Sequence, residues 1–168
     1  MHRTQKSLVV YYSRTGENYA VGDIAEGNTA IVAKMIARKT GADLFEIRTV
    51  KEYAADYTEC TEEAKRELRD DARPEIVGDV ADFAQYGTVY VGYPIWWGVP
   101  PMGVFTFIEK HDWTGKTVRP AVRSKRAAPS SPSSFCMARL WAGCETCNAF
   151  AAAVKDPHRS ISAIPRRR

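Results

Sequence analysis

Five apolar residues in a row, Leu8-Val9-Val10-Tyr11-Tyr12, run directly into the polar turn Ser13-Arg14-Thr15-Gly16. A run this short and this continuous reads as a strand covered on both faces. Gly27-Asn28-Thr29 then opens residues 29–40, where Ile31, Val32, Met35 and Ile36 recur at helical spacing before Gly41 stops the pattern. The spacing predicts a helix that packs on the sheet through those four residues. Residues 43–50 alternate through Leu44, Phe45, Ile47 and Val50 and predict a second strand. Tyr53-Ala54-Ala55-Asp56-Tyr57 reads as a loop. A charged helix follows, opened by Thr58 with Glu62 and Glu63 near its first turn and ended before Pro74.

Residues 88–93, Thr-Val-Tyr-Val-Gly-Tyr, are almost continuously apolar and predict a central parallel strand. The next segment, Pro94-Ile95-Trp96-Trp97-Gly98-Val99-Pro100-Pro101, holds three prolines and a glycine and so reads as a loop at that strand's carboxyl end. Pro101 suits the first turn of a helix through Val104, Phe105, Phe107 and Ile108, and residues 117–122 predict a fourth core strand. Alternating strands and helices predict an α/β fold, a three-layer α/β/α sandwich with a parallel sheet. Its ligands belong outside the carboxyl ends of the strands.

The chain has 168 residues, 45% of them hydrophobic, which is room for one domain. No apolar stretch approaches the ~18 to 20 residues of a membrane span, and no cleavable leader is recognisable, so a soluble cytoplasmic protein is expected. The four cysteines (Cys60, Cys136, Cys144, Cys147) are too unevenly placed for a disulfide scaffold. The net charge of +4 conceals an asymmetry: residues 1–118 sum to −4 and residues 119–168 to +8. The two parts read as different materials, a patterned domain over 1–122 and a basic Ser/Pro/Arg-rich tail over 123–168.

Two loops carry the candidate chemistry. The first brings a strand end to a helix N-terminus, where free N–H groups and the helix dipole bind an anion, and Ser and Thr hydroxyls complete the cage. The same pattern also occurs in α/β proteins with no ligand there. The second holds Trp96 and Trp97, which either plug the core or an interface or offer indole faces to a flat ligand. His2, His111 and His158 have no partner in sequence that points to catalysis, and Cys60 reads as a packed thiol.

At these residues the chain resembles the flavodoxin family, in particular short-chain bacterial members with Tyr-Tyr-Ser-Arg-Thr-Gly after the first strand and Gly-Tyr-Pro-Ile-Trp-Trp-Gly after the third. The likeness covers roughly residues 7–120 and includes Gly41-Ala42-Asp43-Leu44-Phe45-Glu46-Ile47, Tyr53 onward, and Ala72-Arg73-Pro74. It implies FMN as cofactor. By that carry-over Ser13, Thr15, Asn28 and Thr29 hold the phosphate and Pro94, Ile95, Trp96, Trp97 and Gly98 line the ring, while Arg14 is either a weak phosphate contact or a solvated loop residue. Residues 17–26 read as an inserted surface loop. No nucleophile, triad or metal is needed, because the flavin carries the redox chemistry; a net-negative domain would lower its potential. The expected role is an electron carrier or a quinone-type reductase, meeting a redox protein or a small-molecule acceptor. The rival reading is a non-redox remnant that serves as an interaction module.

The resemblance stops after Val122. The family's third flavin loop, fifth strand and closing helix have no counterpart in Arg123-Ser124-Lys125-Arg126 and the Ser/Pro/Arg-rich residues beyond, where only residues 150–154 hint at a helix. The sheet is therefore expected to lack its usual fifth strand. Out-of-frame translation from about Ala121 onward and a genuine divergent C-terminus are the two explanations. Resequencing the gene decides between them. Cys144 and Cys147, with Cys136 and His158, fit no standard zinc spacing, and the basic residues lack the interleaved aromatics of a nucleic-acid module. A solvated tail is expected.

Overall fold

The apolar run at residues 8–12 becomes the middle of the sheet. The computed structural model describes residues 5–122. In chain order its elements are β1 (Lys6–Tyr11), the short pair β2 (Gly16–Asn18) and β3 (Gly22–Ile24), α1 (Asn28–Thr40), β4 (Asp43–Glu46), α2 (Tyr57–Arg69), β5 (Tyr86–Tyr93), α3 (Met102–Lys110) and β6 (Thr117–Val122). Four strands form a parallel sheet in the order β4-β1-β5-β6, with Val9 paired to Leu44 on one side and Tyr90 on the other. The readings placed on His2, on residues 123–168, on the Cys136, Cys144, Cys147 and His158 set and on a helix at 150–154 lie outside the described residues.

Alternation along β1 sorts the layers. Leu8, Val10 and Tyr12 point to one face, where they pack with Val89, Val91 and Tyr93 of β5 and Val104, Phe107 and Ile108 of α3. Val9 and Tyr11 point to the other, against α1. Helix α2 lies beside α3, with Leu68 packed on Met102 and Phe105. A continuous apolar strand is what this arrangement requires, since neither face of β1 meets water.

Three expectations need correction. Helix α1 buries Ala30, Ala33, Ile36 and Ala37, whereas Ile31 and Met35 stay exposed. Of the four expected packing residues Ile36 is buried and Val32 packs beside it, while Ile31 and Met35 turn outward, because Ala30, Ala33 and Ala37 let the helix backbone sit close to the sheet and rotate the buried stripe toward them. The second strand stops at Glu46, because Thr49 leaves the parallel sheet for an antiparallel bridge to Ile76. The alternation of residues 47–50 is real, but its partner changes. Helix α2 begins at Tyr57 and not Thr58; its cap is Asp56, whose carboxylate accepts the Glu59 N–H at 2.8 Å.

His111 ends α3 and has a partner that its position in sequence does not reveal. Its ring stacks on Phe83 at 4.3 Å and lies 4.4 Å from Phe107, and Nε2 is 2.9 Å from Asp79 Oδ1. Burial pulls its pKa below the ordinary 6.5, and Asp79 resists that pull only in part. A histidine with a depressed folded-state pKa contributes stability that is full above the ordinary value and is lost as pH falls through the folded one. The unfolding free energy is therefore expected to fall between about pH 7 and about pH 5, and His111→Gln to flatten that limb. An NMR titration that placed the His111 pKa above 6.5 would overturn this.

Candidate functional site

Because β1 and β5 are adjacent and parallel, the loops that follow them leave the sheet at the same edge. The first loop meets α1 at very close range. A Cβ on Gly27 would lie 2.1 Å from Ser13 Oγ and 2.4 Å from the Arg14 carbonyl oxygen, so only glycine admits the loop here. Gly27 is the N-cap and supplies no side-chain cap; the Thr29 hydroxyl does not cap the helix. Instead Ser13 Oγ accepts the Ala30 N–H at 3.1 Å, which leaves its own O–H able to donate. The N–H groups of Asn28 and Thr29, in the first turn, have no intrahelical acceptor, and that turn holds no acidic residue. Ser13, Asn28 and Thr29 are thus brought together at the positive end of a 13-residue helix, where among the described residues the Asn28 and Thr29 N–H groups meet no acceptor. Such a donor set fits a phosphate. Thr15 is exposed in the turn before Gly16.

The second loop is pinned at both ends. Trp96 and Val99 exchange backbone hydrogen bonds at 2.8 and 3.0 Å, with Trp97 at φ 51° and Gly98 at φ 87° between them. Positive φ at both central residues is the sign pattern of a type I′ turn, and for a bulky aromatic it costs of order 1 to 3 kcal/mol. The tandem tryptophans divide the two roles weighed for them. Trp96 is half-buried and packs edge-on against Tyr12 at 5.4 Å and Tyr53 at 5.2 Å, joined to the main core. Trp97 is 52% exposed; its indole N–H donates to the Thr61 carbonyl at 2.8 Å, and Lys65 Nζ lies 5.1 Å from its ring. Pro94 is half-buried, and Ile95 is exposed beside them. A strained, exposed indole held by α2 is a platform for a planar ligand.

Arg14 does not reach the helix N-terminus. Its Nε donates to the Glu17 carbonyl at 3.0 Å, Nη1 to Ala54 at 3.1 Å and Nη2 to Ala55 at 2.7 Å. The segment read as an inserted loop is the β2–β3 hairpin, with Ala20 and Gly22 at positive φ around its turn. It is clasped to α2: Glu17 Oε2 accepts the Tyr57 N–H at 2.7 Å, and the Tyr19 ring lies 6.1 Å from that of Tyr57. Sequence reasoning also left out Tyr12 and Tyr53 as supports of Trp96. Their aromatic identity was the available signal.

Burial sets the titration of the site. Tyr12 and Tyr53 are pushed well above the ordinary phenol value, first by burial, and Tyr53 Oη donates to Glu67 Oε2 at 2.5 Å. Burial also raises Glu67. Cys60 is buried in α2, and burial raises its thiol pKa, as a packed and unreactive thiol requires. Among the described residues no cluster of His, Cys, Asp or Glu is arranged to hold a metal, and no helix is long and apolar enough to cross a membrane. What remains at the sheet edge is a helix N-terminus without a side-chain cap and, on the loop after β5, an exposed indole.

A family model described as Flavodoxin matches residues 6–132. A protein of Bacteroides eggerthii DSM 20697 described as a flavoprotein is 32% identical, with a TM-score of 0.59 over 73% of this chain and 72% of its own. A second, from Bacteroides uniformis ATCC 8492, is 34% identical, with a TM-score of 0.59 over 73% and 74%. A flavoprotein from Lactobacillus acidophilus NCFM, solved in complex with FMN, shares the fold at 22% identity, with a TM-score of 0.60 over 73% and 77%. No curated protein matches the chain.

Proposed function

Because this chain belongs to the flavodoxin family, we propose that it binds FMN and serves as an electron carrier or small-molecule oxidoreductase. One observation carries the reading: unpaired N–H donors around Ser13, Asn28 and Thr29 open on the same sheet edge as the strained and exposed Trp97. A phosphate suits the first and a flat ring the second, and FMN joins both in one molecule. The FMN held by the Lactobacillus acidophilus neighbour agrees with this. Ser13, Asn28 and Thr29 hold the phosphate, with Thr15 at the outer side, and Pro94, Ile95, Trp96, Trp97 and Gly98 line the ring. Bound FMN supplies one- or two-electron redox chemistry.

The chain's own contribution is orientation and exclusion of water. Trp96, seated on Tyr12 and Tyr53, closes the loop from the core side. Because Trp97 is exposed, a ring stacked on it would be open to solvent, where a redox protein or a quinone-like acceptor could approach. The test is a visible spectrum of the purified chain after FMN is added and the excess removed. A retained flavin band with quenched fluorescence is expected, and a colourless protein refutes the reading.

The phosphate end has its own expected result. Thr29→Ala weakens FMN by about 1 to 3 kcal/mol through loss of a charge-assisted hydrogen bond, while Thr29→Ser, which keeps the hydroxyl, binds nearly as the parent does. Riboflavin, which has no phosphate, is bound equally by all three proteins. Equal FMN affinity in Thr29→Ala would remove that contact from the site.

A further inference from the structure

Arg14 carries a charge beside an anion site yet spends its guanidinium elsewhere. All three of its nitrogens donate to carbonyl oxygens, two of them, Ala54 and Ala55, forty residues away in sequence. Those carbonyls belong to the segment 53–57, and what that segment supports is the ring loop. Tyr53 meets Trp96 edge-on at 5.2 Å. Tyr57 begins α2, with its N–H on Glu17, and one turn later the Thr61 carbonyl holds the indole N–H of Trp97. Each tryptophan therefore rests on a piece of chain that Arg14 or its neighbour Glu17 fastens to the phosphate loop.

We propose that Arg14 is a positioning residue that braces the ring loop from the phosphate loop, and is not a ligand of the phosphate. The inference rests on the FMN reading for its ligand but not for its geometry. A planar guanidinium spans the diverging carbonyls of Glu17, Ala54 and Ala55 at once, which a single ammonium cannot do. Removing it takes the Ala54 and Ala55 carbonyls off the phosphate loop and loosens segment 53–57. That segment then rests on the Ala54 N–H to Glu63 Oε2 at 3.0 Å, Tyr53 Oη to Glu67 and the Tyr57 N–H to Glu17. The footing of the tryptophan loop weakens, while the donors at Ser13, Asn28 and Thr29 stay in place. Ring binding suffers and phosphate binding does not.

The experiment titrates FMN and riboflavin by flavin fluorescence against the parent chain, Arg14→Ala and Arg14→Lys. Arg14→Ala is expected to weaken both flavins by the same factor, about tenfold for lost hydrogen bonds to a charged group, with the FMN-to-riboflavin ratio unchanged and no rescue by lysine. A loss confined to FMN makes Arg14 a phosphate ligand and overturns the proposal, as does unchanged affinity for both. Hydrogen exchange on the flavin-free protein gives a reading independent of FMN. Faster exchange at the Tyr57 amide in Arg14→Ala, with β1 and β5 unchanged, supports the brace even if the parent binds no flavin. Unchanged exchange at Tyr57, or acceleration throughout the sheet, refutes it.

Discussion

Truncating Phe107 to alanine is expected to lower the unfolding free energy by about 3 to 5 kcal/mol, measured by denaturant titration. Phe107 is fully buried in α3 and lies within ring-contact distance of Phe45, Phe83, His111 and Trp113. Four rings closing on one side chain leave little freedom to collapse into the space it vacates, so the cavity term adds to the transfer term. Against a domain stability of about 5 to 15 kcal/mol, this single change threatens the fold. Ile31→Ala is the matched control. Ile31 is 40% exposed on α1, and its truncation is expected to cost roughly 0.5 kcal/mol or less, as for surface positions generally. Comparable losses in the two variants would show that the buried face of α1 is the larger apolar stripe after all.

Gly27→Ala is the second large effect, and it acts on stability and binding together. The new methyl meets Ser13 Oγ at 2.1 Å and the Arg14 carbonyl at 2.4 Å. The hydroxyl can rotate, but the carbonyl is backbone and must move with its chain. Overpacking of this kind costs about 1 to 3 kcal/mol, and relief requires α1 to retreat from the loop. Thermal unfolding should record the first consequence. The second is that Ser13 loses its bond to Ala30, so FMN affinity falls further than in Thr29→Ala while riboflavin is affected less. A variant as stable as the parent would place the loop farther from the helix than 2.4 Å implies.

Much of this fold is legible in the amino-acid sequence. The runs at residues 8–12 and 88–93 mark β1 and β5 because strands covered on both faces carry no polar interruption, and the Pro/Gly content of 94–101 marks the ring loop. The face of α1 is only half legible: Val32 and Ile36 do pack on the sheet, but helical periodicity weighs Ile31 and Met35 above the alanines, whereas close packing also draws in Ala30, Ala33 and Ala37. The cap at Asp56 had a signal in Asp56-Tyr57-Thr58-Glu59, whose spacing matches a helix start. The hairpin from Gly16 to Ile24 had none, since its strands are three residues long and stay largely exposed. The partners of Arg14 were unreadable for a more basic reason. They are main-chain carbonyls, which every residue possesses, so the sequence carries no trace of which ones it will find.

The register of the sheet also sets the order in which it can be made. Val9 pairs with Tyr90 in the central ladder, so β1 leaves the ribosome long before the strand that completes it. Until then its available neighbour is β4, reached through α1, and that unit covers only Val9 and Tyr11. Leu8, Val10 and Tyr12 wait uncovered for β5 and α3. Contacts this distant close slowly, and until they do the nascent chain carries that apolar face uncovered.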